Sequence, residues 1–159
     1  MSDMGSGGCP GSRMQDFRDD KKGGKEDAGH RESQLRQWPI QLHLVSPEAP
    51  YYQKADVLLS ADCVAYTVGD FHKDYLKGKS IAIACPKLDE GQDVYVEKIK
   101  SLIDDARINT LTVMTMQVPC CAGLVAMAEQ ALHSASRKIP IKSIVISLQG
   151  EVLSEDWVQ

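Results

Sequence analysis

Val113-Met114-Thr115-Met116-Gln117-Val118-Pro119-Cys120-Cys121-Ala122-Gly123-Leu124 decides how this chain reads. An apolar run of strand character ends on two adjacent cysteines, and a helical pattern starts directly after them. Two earlier segments repeat the arrangement. Val57-Leu58-Leu59-Ser60-Ala61-Asp62-Cys63 and Ser80-Ile81-Ala82-Ile83-Ala84-Cys85-Pro86 each run from a short apolar strand pattern into a cysteine. In an open parallel α/β sheet the carboxyl ends of the strands share one edge, and ligands bind there. Thiols far apart in sequence are therefore expected to meet in space.

The flanking segments support that sheet. Asp93 is positioned to cap a helix whose apolar stripe is Tyr95, Ile99, Leu102, Ile103 and Ala106. After Cys121, a second stripe of Leu124, Met127, Ala128, Ala131, Leu132 and Ala135 again has helical spacing. Asp70 to Gly78 reads as a short helix, with Asp70 as N-cap and Gly78 as stop signal. Strands are expected at Trp38–Val45, Val57–Ala61, Ile81–Ala84, Thr110–Val118 and Ile144–Leu148, and Gly150 to Gln159 reads as a polar ending. Strand and helix alternate, and most strands are continuous apolar runs. The expected fold is α/β, with a mainly parallel five-stranded sheet and helices on both faces. Its strand order is expected to be Rossmann-like or flavodoxin-like, a three-layer sandwich.

Residues 1–34 hold most of the glycines and a dense mix of charges, with few apolar side chains to offset the entropy of ordering. They read as a flexible tail, and residues 35–159 as the α/β domain. Met1 to Gly11 has no apolar segment of the secretory type, and no run in the chain reaches the length of a membrane span. A cytoplasmic protein without a membrane partner is expected. The formal net charge of −4 argues against a general nucleic-acid binder, which needs a basic face. Five cysteines in a reducing compartment point to metal or redox chemistry rather than a disulfide framework.

Cys63, Cys85, Cys120 and Cys121 follow three successive strands at the same end. Thiolates are soft ligands for iron–sulfur clusters, zinc or copper(I). A ferredoxin ligand run ends in Cys-Pro, a dipeptide found here at Cys85-Pro86. Cys9 is a further candidate ligand in the tail. Two other readings stay open. Cys121 begins a helix, where the positive end of the dipole favours a thiolate nucleophile or redox thiol. Alternatively, the cysteines are small hydrophobes packed in a partner-binding domain. Met114, Met116 and Met127 read as core filling, and His43, His72 and His133 as structural or surface residues. A Walker loop, G-x-G-x-x-G, Cys-x-x-Cys and His-Glu-x-x-His are all missing, so nucleotide binding has no specific support.

A set of motifs adds a resemblance. It comprises Gln37-Trp38-Pro39-Ile40-Gln41-Leu42-His43-Leu44-Val45, Ala49-Pro50-Tyr51-Tyr52, Ala61-Asp62-Cys63, Asp70-Phe71-His72, Lys77-Gly78-Lys79, Cys85-Pro86-Lys87-Leu88-Asp89 and Val118-Pro119-Cys120-Cys121. Together they resemble the C-terminal module of iron–sulfur cluster-binding, 4Fe-4S ferredoxin-type proteins of anaerobic bacteria and archaea, over residues 34–153. Gly8-Cys9-Pro10-Gly11-Ser12 resembles the segment that precedes this module. The dicluster ferredoxin domain of those proteins is not in this chain, and their Cys-Cys-Gly-Gly is Cys120-Cys121-Ala122-Gly123 here. The resemblance implies a stand-alone module with Cys63, Cys85, Cys120 and Cys121 as a cluster site. The expected role is electron transfer or redox sensing with a redox partner protein, as an oxidoreductase component.

Overall fold

Apolar runs without polar interruption become the middle of the sheet. The structure, a computed structural model, describes residues 12–19 and 29–158. In chain order the strands are β1 (Gln15–Asp16), β2 (Gln37–Trp38), β3 (Asp56–Ala61), β4 (Ser80–Ala84), β5 (Thr110–Met116), β6 (Ile141–Ile146) and β7 (Val152–Val158). The helices are α1 (Val64–Thr67), α2 (Gln92–Asp104) and α3 (Ala122–Ser134). The main sheet has the order β4-β3-β5-β6-β7. Pairing is parallel from β4 through β6, and β7 returns antiparallel to β6. Chain order thus runs outward from β3 to β4, then reverses to β5, which is the flavodoxin-like order.

Register divides the side chains between two faces. Leu59 of β3 lies beside Ala82 of β4 and Val113 of β5. On the opposite face Leu58 lies beside Ile81 and Thr112. α3 packs on β5 and against α2. The α2 stripe is buried as its spacing requires, with Tyr95, Ile99 and Ile103 fully enclosed. Each such aliphatic or aromatic side chain contributes about 1.5–3 kcal/mol by leaving water. The other face is covered by α1, by a π-helical turn (His72–Leu76) and by the chain from Leu35 to Ile40.

Four details depart from the sequence reading. The fifth strand is not Trp38–Val45 but β7, the segment read as a polar ending. β7 is an edge strand with a largely exposed face, so it needs no apolar run. In the Trp38–Val45 stretch, Gln37–Trp38 forms a short strand and Gln41 makes a single parallel bridge to Ile83. Beyond it, the Lys98 ammonium donates to the carbonyls of Leu42, His43 and Val45 at 2.9, 2.8 and 2.9 Å, taking the place of a strand partner. Secondly, the segment read as a tail supplies β1, which pairs antiparallel with β2. Thirdly, neither Asp70 nor Asp93 caps a helix through its side chain. Phe71 and a left-handed Gly91 (φ 74°) stand at those N-caps, and Asp93 lies in the first turn of α2. Lastly, β5 stops at Met116, and β6 spans Ile141–Ile146 rather than reaching Leu148.

Candidate functional site

The order reversal between β3 and β5 opens the sheet's carboxyl edge at one point, the place where α/β sheets receive ligands. Cys63 follows β3 and stands at the N-cap of α1. Cys120 and Cys121 follow β5, in a 3-10 turn (Pro119–Cys121) that runs directly into α3. Thiol-bearing residues from both sides of the switch point therefore stand at the same edge of the sheet. The neighbouring Cys120 and the Cys63 thiol both act electrostatically on the Cys121 thiol. Cys63 and Cys120 are exposed, Cys121 is buried, and all four described cysteines are free.

Cys85 belongs to the neighbouring junction, after β4. Its side chain is turned onto its own loop, where Sγ accepts the Leu88 N–H at 3.4 Å. Asp89 Oδ2 accepts the Cys85 N–H at 2.9 Å and also the Tyr95 hydroxyl. The loop reaches toward the other thiols through its proline. A Cβ on Gly123 would lie 3.3 Å from the Pro86 Cβ, so the small residue after Cys121 and Ala122 lets the Cys85-Pro86 loop close on the start of α3. Gly123 was quoted in the sequence without a role, and this contact supplies one.

Cys121 departs from expectation. Its thiol is pushed up, first by burial, and further by Cys120 and Cys63, while a main-chain hydrogen bond at Met116 acts in the opposite direction. The helix start does not overcome the loss of water around the sulfur. Tyr95 is pushed up by burial and by its bond to Asp89, with smaller contributions from Asp62 and Cys85. Asp62, the residue before Cys63, is pushed up by burial and then by Asp89, and its Oδ1 is buried without a hydrogen-bond partner among the described residues.

Cys63, Cys120 and Cys121 thus share the carboxyl edge of the sheet, while Cys85 lies at the neighbouring junction with its Sγ engaged by its own loop. Among the described residues, no three His, Cys, Asp or Glu side chains already stand in an arrangement that could hold a metal ion. Cys9 lies outside the described residues. Met114, Met116 and Met127 are core, as expected. His43 stacks on Tyr95 with ring centroids 4.2 Å apart, and its Nε2 lies 2.5 Å from the Glu90 carbonyl. His72 accepts the Gln34 N–H at Nδ1 (2.9 Å), and His133 is an exposed residue in the last turn of α3. Asp62, Asp89 and Tyr95 were not singled out as site residues, because a lone carboxylate or tyrosine in a loop carries no spacing signal.

The model of the Rossmann-like domain family matches residues 49–158. The chain belongs to that family. The match takes in β3 through β7, and with them every strand that ends at a thiol. The Rossmann-like domain is also similar to an uncharacterised protein of Archaeoglobus fulgidus, 29% identical over 119 residues, which cover 75% of this chain and 83% of the relative. No solved structure matches it. Among the described residues, no helix is long and apolar enough to cross a membrane.

Proposed function

We propose that this protein holds an iron–sulfur cluster, or another thiolate-bound metal such as zinc, and transfers electrons to a partner protein or senses redox state for it. The observation that carries the reading is the placement of Cys63, Cys120 and Cys121 on the two junctions that flank the β3/β5 switch point, within electrostatic range of one another at Cys121. Ionising Cys121 is opposed by burial and by the neighbouring Cys120 and Cys63. A soft cation removes that opposition, because it binds thiolates and offsets their mutual repulsion. Cys85 is the fourth candidate ligand, on a loop that abuts the start of α3. Ligation by Cys85 requires its Sγ to release the Leu88 N–H. The motif resemblance to 4Fe-4S ferredoxin-type proteins supports the same reading.

A thiol-redox enzyme centred on Cys121 is the alternative, favoured by the Cys120–Cys121 contact. It must work from a thiol that burial holds protonated, which makes it the weaker proposal. The experiment is anaerobic reconstitution with iron and sulfide. Thiolate-to-iron absorption in the visible range and acid-labile sulfide are expected, and both are expected to be lost in Cys121→Ser. A colourless product that also binds no zinc contradicts the proposal. One fast-alkylating thiol in that colourless protein favours the alternative.

A further inference from the structure

Interiors are packed with few voids larger than a water molecule. Against the β3–β4 face of the sheet, however, lies a cavity of about 350 Å³. Its walls are apolar, with Ile81 and Ile83 from β4, Phe71 and Leu76 from the π-helical turn, and Leu35 and Ile40 from the covering arm. π-helical turns are rare and are frequently found at functional sites. The arm is fastened over the cavity by the Gln34 N–H, which donates to His72 Nδ1 at 2.9 Å.

Polar groups gather at one end. Asp62 and Ser60 line the cavity where β3 runs out. The Ser60 hydroxyl is already used, donating to the Ala61 carbonyl at 3.0 Å. Asp62 is different, because Oδ1 has no donor among the described residues. A buried acceptor without a donor is costly, and a carboxylate turns readily about its broad χ2 well to meet a donor that arrives. An apolar hollow with one unsatisfied acceptor is the usual composition of a small-molecule site, and its volume is at the small end of the range for such sites. That size excludes a dinucleotide and suits one or two rings.

We infer that this cavity binds a small, largely apolar ring compound that presents one N–H or O–H donor to the Asp62 carboxylate. The site is separate from the proposed metal centre, with which it shares the end of β3, and it does not depend on metal being bound.

Indole and its hydrocarbon counterpart indene test this, since they differ in shape by little and in donor by one N–H. Each is titrated into the full chain while backbone amide resonances are followed. Indole is expected to bind saturably in the millimolar range, with shifts concentrated at Ser60, Asp62, Phe71 and His72. It is expected to bind about fivefold tighter than indene, the worth of one hydrogen bond. Ile83→Trp, which fills the cavity, is expected to abolish both. Should that variant unfold, Asp62→Ala serves instead, and is expected to retain indene binding while losing the preference for indole. Absence of saturable shifts, shifts scattered outside the cavity, or equal affinity for the two probes overturns the inference. None of these outcomes bears on the metal reading.

Discussion

Asp89 and Cys85 hold one another through two bonds: Oδ2 accepts the Cys85 N–H at 2.9 Å, and the Asp89 N–H donates to the Cys85 carbonyl at 2.9 Å. The Tyr95 hydroxyl donates to the same carboxylate oxygen and ties the loop to α2. Replacing Asp89 with Ala leaves the Cys85 N–H without its acceptor and leaves the buried Tyr95 hydroxyl to Gln41 Oε1 at 3.3 Å. The expected cost is about 1–3 kcal/mol in urea unfolding. Alkylation of Cys85 is expected to accelerate as its loop loosens. Unchanged stability together with an unchanged alkylation rate contradicts this role.

Two glycines set limits of different severity. Gly150 has φ 86°, and a Cβ there would collide with the Thr67 carbonyl oxygen, where the β6–β7 loop packs on the end of α1. Backbone strain and a rigid neighbour act together. Gly150→Ala is expected to cost about 1–3 kcal/mol. Gly123 has no positive φ and faces the Pro86 ring at 3.3 Å, so a shift of the loop relieves the contact. Gly123→Ala is expected to cost less and to move resonances of the Cys85-Pro86 loop. Thermal melts of the two variants, with amide spectra, check the ranking.

Asp104 gives a pH signature remote from the thiols. Its carboxylate accepts the N–H groups of Ser136 (2.9 and 3.1 Å) and Arg137 (3.0 Å), which hold its pKa below the ordinary 3.8. A depressed carboxylate stabilises the fold above the unfolded value, and that contribution fades as pH falls through the folded one. Asp104→Asn is therefore expected to lower the melting temperature at neutral pH. The gap from the unsubstituted protein should narrow as the pH falls below the ordinary 3.8 and through the lowered folded value. A gap that is constant from neutral to acid contradicts the assignment.

The sequence exposed the strands whose two faces are both covered. β3 and β5 are almost wholly buried, so they read as mainly apolar runs, and Cys63 and Cys120 follow shortly after their ends. β7 was hidden for the opposite reason. Leu153, Glu155 and Trp157 face outward, and only the ladder to β6 makes the segment a strand. Trp38–Val45 imitated a strand because its alternation serves turns whose carbonyls Lys98 satisfies, a residue more than fifty positions later. For the site, the placement of Cys63, Cys120 and Cys121 after strands at the carboxyl edge was legible. The outward turn of Cys85 and the burial of Cys121 were not, since both depend on loop packing against α3 that no spacing records.

The central claim is that Cys63, Cys120 and Cys121 serve one inorganic centre. Metal and acid-labile sulfide analysis of anaerobically prepared protein, beside Cys63→Ser and His133→Ala, tests it most directly. The account predicts bound iron with sulfide, or zinc without it, in the unsubstituted protein and in His133→Ala, and loss of that metal in a folded Cys63→Ser. Equal metal content in all three proteins, or none in any of them after reconstitution, contradicts it.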